Sequence, residues 1–531
     1  MSNEGYNGEG IEVKVEADLV VVNANIHTMD PEKPNASALA VKSFKLIAVG
    51  DNDDVMDLLP TAKRVMDLGG KTIIPGFVDA HTHLTSTGIR SIQADLTSAT
   101  SPEDTVNLLK SFADDKNPEG WVIGWGFDES NWETKRYLTS KDLDKVRKEQ
   151  PVAAIRIDGH LISVNTIGLE KIGVDLKHEG VERDKKGTPT GVLKDVDGMY
   201  DNLRVTSKEI QDGVIAGTKI AASFGITTAI DNVADGYLRE IREVEHHDRL
   251  YSRIVVNIPL EQMNHLLKLG ITTGMGTPLT RIGGVKIFTD GSIGAGTAAV
   301  SKPYNRQKEN LGMLLVAKKK MLSILKKAID GRLQTVTHAI GDRAIEMILT
   351  AFEDLPPTEK ELVKTQRHRI EHAEMISEDQ IRRAASLGII LSMQPNFVAN
   401  WQMEGGLYDQ RFDAERVESM NMFRIALDNG ARMCFGSDGM PLGPLYGIYA
   451  ATTHPNPNVR ITVEEALRCY TTESAYASFL ENTVGSLKVG NRADFVVLSS
   501  DILSTPPQRI NEIEIEMTMM GGEVVYSSGT L

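Results

Sequence analysis

Eight short apolar runs recur along the middle of the chain, and most of them are followed by a helical segment. The runs are TIIPGFVDA (72–80), GITTAIDN (225–232), SRIVVNIP (252–259), IGGVKIFTD (282–290), LQTVTHAI (333–340), HRIEHAE (368–374), GIILSMQP (388–395) and RMCFGSD (432–438). Alternating strands and helices indicate parallel βαβ units, and eight such units predict a (β/α)8 barrel. An open doubly wound sheet would need a glycine-rich loop after its first strand, and PGFVDAHTHL does not provide one.

Both ends of the chain are rich in β-branched residues, for example in ADLVVVNANIHTM and in IEIEMTMMGGEVVYSS. Such segments predict short strands. We therefore expect residues 11–71 and 480–531 to form one composite β-sandwich domain, with the barrel at 72–479. Residues 81–224 separate the first two apolar runs, far more than one βα connection needs. We predict an inserted subdomain at about 88–205, after the first barrel strand.

Charge and cysteine content exclude several classes of protein. The chain has 58 Lys and Arg against 73 Asp and Glu, a net charge of −15, which disfavours nucleic-acid binding. Two cysteines, Cys434 and Cys469, cannot form a disulfide framework and suit a reducing compartment. The polar, acidic N-terminus does not look like a secretory signal, and no apolar run is long enough to span a membrane. We expect a cytoplasmic protein.

His81 and His83 end the first predicted strand as the motif His-Thr-His. Side chains at i and i+2 of a strand point to the same face, so both imidazoles can reach one metal ion at the catalytic mouth of a barrel. The motif alone also arises by chance or at surfaces. Its position directly after an apolar strand favours the metal site.

Four more residues near strand ends could carry chemistry. Lys286 lies inside the apolar run GGVKIFTD, where it is either a lysine snorkelling at a strand edge or an amine of lowered pKa that takes up carbon dioxide. His338 and His372 lie near the ends of the fifth and sixth runs, where each alone could be an ordinary buried or surface histidine. Asp438 ends the eighth run and is either a cap or turn residue or a carboxylate that ligates metal and accepts a proton from water. Together they predict convergence with the first-strand pair.

Such a set of ligands suits hydrolysis. A zinc-type ion with nitrogen and oxygen ligands and one open position lowers the pKa of bound water toward about 7 and polarises a carbonyl. A carboxylate beside that water can take its proton and deliver it to a leaving amine. These groups could cleave an amide-like bond without a covalent enzyme intermediate.

The motifs PGFVDAHTHL, VKIFTDGSIG, THAIGDRA, RIEHAE, SMQPN and FGSDGMP, in this order, resemble the amidohydrolase superfamily. More narrowly, they are similar to its amidohydrolase-3 branch, which includes N-substituted formamide deformylase-like enzymes. The resemblance covers the chain from about residue 18 to its end and does not specify a substrate.

The resemblance implies a role for each matching residue. His81 and His83 would hold the more buried metal, Lys286 would be a carboxylated lysine that bridges two metals, and His338 and His372 would bind the second metal. The implied cofactors are one or two divalent ions, Zn²⁺ above all, and carbon dioxide for Lys286.

Two further residues receive roles from the same resemblance. Asp438 would orient and deprotonate the water. His160, in DGHLISVNTIGL of the insert, would contact substrate at the barrel mouth, or else be an ordinary histidine of the insert.

The leading hypothesis is a metal-dependent hydrolase that cleaves a non-peptide C–N bond, amide or formamide-like, in a small molecule. The same metal site could serve lactone or ester hydrolysis, decarboxylation or isomerisation, because one scaffold hosts many chemistries. A barrel with a binding or regulatory role is the alternative outside enzymes. We expect a small-molecule substrate, no nucleic-acid or membrane partner, and a homodimer.

Overall fold

The computed structural model describes residues 16–530 except 158, 197, 201, 202, 204 and 234–236. Contacts divide the chain into two compact units. The first comprises Met1–His83, Ala221–Gly236 and Tyr251–Leu531, and the second comprises Leu84–Ile220 and Tyr237–Leu250. Residues 11–15 of the predicted sandwich domain lie outside the described residues.

Eight parallel strands form the central sheet of the first unit, in the order in which they occur along the chain. They are β1 (Phe77–Thr82), β2 (Ile226–Asn232), β3 (Arg253–Pro259), β4 (Thr280–Phe288), β5 (Gln334–Ala339), β6 (Arg369–His372), β7 (Ile390–Met393) and β8 (Met433–Phe435). The backbone N–H of Asp438 donates to the carbonyl of His81 at 2.7 Å, so the ends of the last and first strands meet. The predicted (β/α)8 barrel is confirmed.

Helices lie between most of the barrel strands, and several of them, such as Lys318–Asp330 and Asp342–Glu353, bury one apolar face. The helices of the first unit are Asn52–Val55, Met263–Leu269, Lys318–Asp330, Asp342–Glu353, Pro357–Gln366, Glu378–Leu387, Pro395–Phe397, Leu407–Arg411, Ala414–Glu418, Phe423–Asp428, Pro444–Thr452, Val463–Cys469 and Thr472–Ala477. Shorter or irregular turns lie at Met56–Thr61, Leu260–Gln262, Val398–Gln402, Pro457–Val459 and Pro507–Glu512. Ser377 and Gln380 form a reciprocal capping box that begins the helix after β6.

The run TIIPGFVDA is not one barrel strand, and that prediction was wrong. Thr72–Pro75 pairs antiparallel with Phe495–Leu498 in another sheet, and only Phe77–Thr82 enters the barrel. Gly76 separates the two strands. A Cβ at this glycine would lie 2.3 Å from the hydroxyl of Thr227, so only glycine allows this close approach.

Two further sheets of the first unit pack around one apolar core. The first of these sheets has four strands, Leu19–Val22, Ala38–Lys42, Lys45–Gly50 and Val65–Asp67. The second has six strands, Asn25–His27, Asn35–Ala36, Thr72–Pro75, Phe495–Leu498, Ile515–Met520 and Glu523–Ser527. Leu19, Leu39, Ile73, Phe495 and Met519 all contribute to the shared core. The six-stranded sheet thus combines segments from distant parts of the sequence. The bounds 11–71 and 480–531 of the composite domain stay predictions.

The second unit contains a mixed six-stranded sheet. The strands of this sheet are Ala94–Asp95, Val122–Phe127, Val152–Arg156, Leu161–Val164, Val181–Arg183 and Pro189–Lys194. The helices of this part of the chain are Leu84–Ser91, Pro102–Lys116, Ser140–Leu143, Thr166–Lys171, Ser207–Ser223 and Leu238–His246, and a short turn lies at Glu129–Asn131. Trp132 is buried and donates its indole N–H to the carbonyl of Ala99 at 2.9 Å. Trp121 is also buried, so both indoles belong to the core of this unit.

Within the residues that the structure describes, every helix is too short or too polar to cross a lipid bilayer.

Candidate metal centre

The ends of β1 and β8 bring three ligand-type side chains together. His81 and His83 present their rings on the same side of β1, with centroids 5.9 Å apart. Oδ1 of Asp438 lies 3.5 Å from Nε2 of His81 and 3.2 Å from Nε2 of His83. Among the described residues, these three offer ligand atoms that all lie within 4.8 Å of one another.

The two remaining histidines complete a cluster at the same strand ends. The ring of His372 lies 5.0 Å from that of His81 and 4.4 Å from that of His338. In a regular strand, neighbouring side chains point to opposite faces, so the side chains of His372 and Glu371 would point in opposite directions. Instead, His372 adopts a left-handed backbone with φ of 71°, which lets both side chains point inward.

Lys286 lies in the middle of this cluster. Its side chain is buried on β4, and Nζ is 3.1 Å from Nε2 of His81. Burial lowers the pKa of the Lys286 ammonium to about 8, although Glu371 and Asp438 nearby oppose the shift. A fraction of this lysine is therefore a neutral, nucleophilic amine near neutral pH.

Hydrogen bonds fix which imidazole nitrogens carry a proton. Nδ1 of His83 is 2.9 Å from the carbonyl oxygen of Asn232, and Nδ1 of His81 makes a short contact with the carboxylate of Glu371. Because both partners are acceptors, each Nδ1 must be the donor, which in the neutral ring leaves the lone pair on Nε2. Nε2 of each ring faces the carboxylate of Asp438, which is itself an acceptor.

Buried atoms without hydrogen-bond partners mark the same place. Nδ1 of His372 and Oδ1 of Asp438 are buried and have no hydrogen-bond partner. His338 donates from Nε2 to the carbonyl of Gly291 at 3.1 Å, which leaves its Nδ1 as a lone-pair nitrogen. Converging lone pairs from nitrogen and carboxylate oxygen fit a divalent cation of the zinc type.

The charge states suit such a cation. Burial, together with the neighbouring charge of Lys286, lowers the pKa of His81 well below its ordinary value and that of His338 to about 4. These rings are therefore neutral, which is the ligand form of imidazole. Burial alone would raise the pKa of Asp438, but His81, His83 and Lys286 lower it to about 2, so its carboxylate is ionised at neutral pH.

Several buried polar residues that support the cluster were missed in the sequence. Glu371 and Arg369 form an ion pair that is almost wholly inaccessible to solvent. Asp79 accepts hydrogen bonds from the backbone of His81 and Ser437 and from the Ser437 hydroxyl. Charged residues within apolar runs were a usable indication, because such residues are rarely buried without a partner.

His160 belongs to the second unit. It is exposed, and its Nδ1 lies 2.7 Å from a carboxylate oxygen of Asp195, which is also exposed. A role in substrate contact remains a prediction. The structure thus brings six of the seven predicted site residues together in the first unit: His81, His83, Lys286, His338, His372 and Asp438.

Known proteins resemble this chain over nearly its whole length. The profile of the amidohydrolase family matches residues 64–526. The putative amidohydrolase YtcJ of Bacillus subtilis (strain 168) is 28% identical over 534 residues, covering 94% of this chain and 98% of the relative. N-substituted formamide deformylase of Arthrobacter pascens is 24% identical over 554 residues, covering 96% and 98% respectively.

A solved structure shows the same fold. The crystal structure of an uncharacterized metal-dependent hydrolase from Pyrococcus furiosus matches with a TM-score of 0.80 at 26% identity. The match covers 92% of this chain and 100% of the other.

Proposed function

Because the chain belongs to the amidohydrolase family, we propose that it is a metal-dependent hydrolase that cleaves a non-peptide C–N bond in a small molecule. The observation that carries the proposal is the convergence of lone pairs from His81 and His83 on the carboxylate of Asp438. The resemblance to an enzyme named for N-substituted formamides supports an amide or formamide-like substrate.

One or two divalent ions, preferably zinc, would be held by the four histidines, Lys286 and Asp438. The metal, when bound, supplies Lewis acidity and lowers the pKa of coordinated water toward about 7. Asp438 then accepts the proton of the attacking water and returns it to the leaving amine. The Nδ1 hydrogen bonds of His81 and His83 orient both rings so that each Nε2 faces the metal position beside Asp438.

Lys286 has the environment for carboxylation. The neutral amine attacks carbon dioxide, a C–N bond forms, and one proton leaves, which yields a carbamate anion. Its oxygens would then replace an ammonium by two anionic ligand atoms beside His81. The lowered pKa of Lys286 favours this step because only the neutral amine is nucleophilic.

An apolar wall next to the cluster indicates the kind of substrate. The Phe288 side chain is 49% exposed, and its ring lies 5.2 Å from that of His338 and 5.0 Å from Nζ of Lys286. We propose that the substrate carries an apolar substituent near its scissile bond. A homodimer and a cytoplasmic location complete the proposal as expectations from the sequence.

The substrate class can be tested with zinc-loaded protein and a panel of N-alkyl and N-aryl formamides, acylated amino acids, cyclic ureas and lactones. We expect hydrolysis of apolar formamides or amides. Phe288→Ala should lower kcat/KM for the bulkiest apolar substrates by about 10-fold and leave small ones nearly unchanged. Phe44→Ala, which removes an exposed ring (57% against 49% for Phe288) from a strand turn outside the barrel, is the matched control. Turnover of lactones with no turnover of any amide would contradict the proposed reaction.

A further inference from the structure

Glu371 is a buried carboxylate that faces the far side of His81. Its side chain on β6 has no solvent exposure, and Oε2 contacts Nδ1 of the imidazole directly. A carboxylate at this position holds the proton on Nδ1 and thereby turns the lone pair of Nε2 toward Lys286 and Asp438.

Arg369 fixes the orientation of this carboxylate. Its Nε donates to Oε1 of Glu371 at 2.8 Å, and its Nη2 donates to Oε2 at 2.9 Å. Nη2 also donates to the carbonyl of Ala80 at 2.7 Å and to the hydroxyl of Ser392 at 3.0 Å. The Arg369 guanidinium therefore connects β1, β6 and β7. Its hydrogen bonds also fix the positions of both carboxylate oxygens of Glu371.

A contribution to stability does not account well for this pair. Removing two charges from water costs free energy that a buried ion pair seldom recovers fully, and apolar residues of similar size often serve stability as well. Arg369 and Glu371 lie two residues apart on one strand, so both side chains point to the barrel interior. Their placement directly behind His81 indicates a role at the cluster.

His83 differs from His81 in the partner of its Nδ1. Its Nδ1 donates to a backbone carbonyl, that of Asn232, and receives no ionised partner. The side chain of Asn232 donates to the carbonyl of Thr82 at 3.1 Å and accepts from Asn257 at 2.9 Å, which fixes this carbonyl by neutral groups. Of His81 and His83, only His81 has a carboxylate on its Nδ1, and such a partner increases the basicity of the ligating Nε2.

We propose that Glu371, oriented by Arg369, is a positioning residue that fixes His81 in the Nδ1-protonated form and makes its Nε2 the ligand. The inference rests on the proposed function only in naming a metal as the group that Nε2 would meet. The protonation pattern itself is a property of the chain without metal.

Glu371→Gln is the decisive variant. Arg369 donates to both carboxylate oxygens, so a glutamine amide must turn its NH₂ either toward the guanidinium or toward Nδ1 of His81. The first arrangement leaves Nδ1 a weaker, neutral acceptor, and the second selects the opposite tautomer, with a proton on Nε2. We expect zinc affinity, measured by competition with a chromophoric chelator, to fall by about 10- to 100-fold. The ¹⁵N shifts of His81 in metal-free, histidine-labelled protein, assigned with a His81 variant, should show a proton on Nδ1 in the wild type, and in Glu371→Gln either a shift of that proton to Nε2 or a weakened Nδ1 hydrogen bond.

Glu374→Gln is the matched control, because it also removes a buried carboxyl that contacts Tyr408 and not His81. It should keep the wild-type tautomer of His81. If Glu371→Gln does not fold, Ser392→Ala replaces it, since that change removes one hydrogen bond from Arg369 and should weaken zinc binding by a few fold.

The wild-type spectrum and the variant together test the inference. A proton on Nδ1 of His81 in metal-free protein supports the inference, and a proton on Nε2 overturns it. Unchanged zinc affinity in folded Glu371→Gln would also overturn it. Because tautomer and zinc affinity are read without substrate, a protein that binds zinc but hydrolyses nothing would contradict the proposed function and leave this inference standing.

Discussion

Asp438→Asn should reduce kcat by about 10²- to 10⁴-fold while the protein keeps most of its metal. Asparagine has nearly the same shape as aspartate, and its amide oxygen can still face His81 and His83. It cannot accept a proton from the attacking water, so the step assigned to Asp438 is lost while the imidazole ligands stay in place. The measurement is steady-state hydrolysis together with metal analysis of the same preparation.

The distribution of the loss between kcat and KM is informative. An interaction made only in the transition state lowers kcat and kcat/KM equally, so KM should change little. An Asn variant with wild-type kcat would remove Asp438 as the base. A variant that loses both metal and activity would show that Asp438 acts mainly as a ligand.

Lys286→Ala should lower activity by about 10²-fold or more, because the variant cannot form the proposed carbamate, whose oxygens would hold the metal. The variant should also bind less metal than the wild-type protein. Formate, acetate or propionate should restore part of the activity, since a free carboxylate can occupy the space that the lysine side chain leaves and stand in for the proposed carbamate. Lys286 is buried beside His81, so this space is enclosed by the cluster itself.

Selective rescue is the control for Lys286. The same carboxylates should not stimulate the wild-type protein, nor a variant of the exposed Lys320. Full activity of Lys286→Ala without any carboxylate would refute the bridging role. So would electron density for an unmodified lysine amine in active, metal-loaded protein.

The sequence predicted the barrel because the eight apolar runs and the helical segments that follow most of them were both visible in it. Each apolar run is long enough for one buried strand, and β2 to β8 all lie within the predicted runs except where β4 begins two residues earlier, at Thr280. The first run was misread, because TIIPGFVDA is continuous in hydrophobicity although Gly76 divides it between two sheets. Hydropathy does not reveal which sheet a strand joins, since both environments are apolar.

The convergence of the six site residues followed from one rule, that parallel strands of a barrel end at the same rim. The supporting residues did not follow from it. Arg369 and Glu371 lie in the short strand Arg369–His372, and only its last residue, a histidine, was identified from the sequence as a site residue. The inward turn of His372 depends on a left-handed φ, which no pattern of residue types specifies for a histidine.

Metal analysis of purified, full-length protein tests the central claim most directly. After expression in zinc-supplemented medium and removal of loosely bound ions, mass spectrometry of the elements should find about one to two zinc ions per chain. His81→Ala and His83→Ala should each reduce this content. A metal content at background in folded wild-type protein would contradict the account, because the lone pairs that meet at Asp438 would then have no cation to bind.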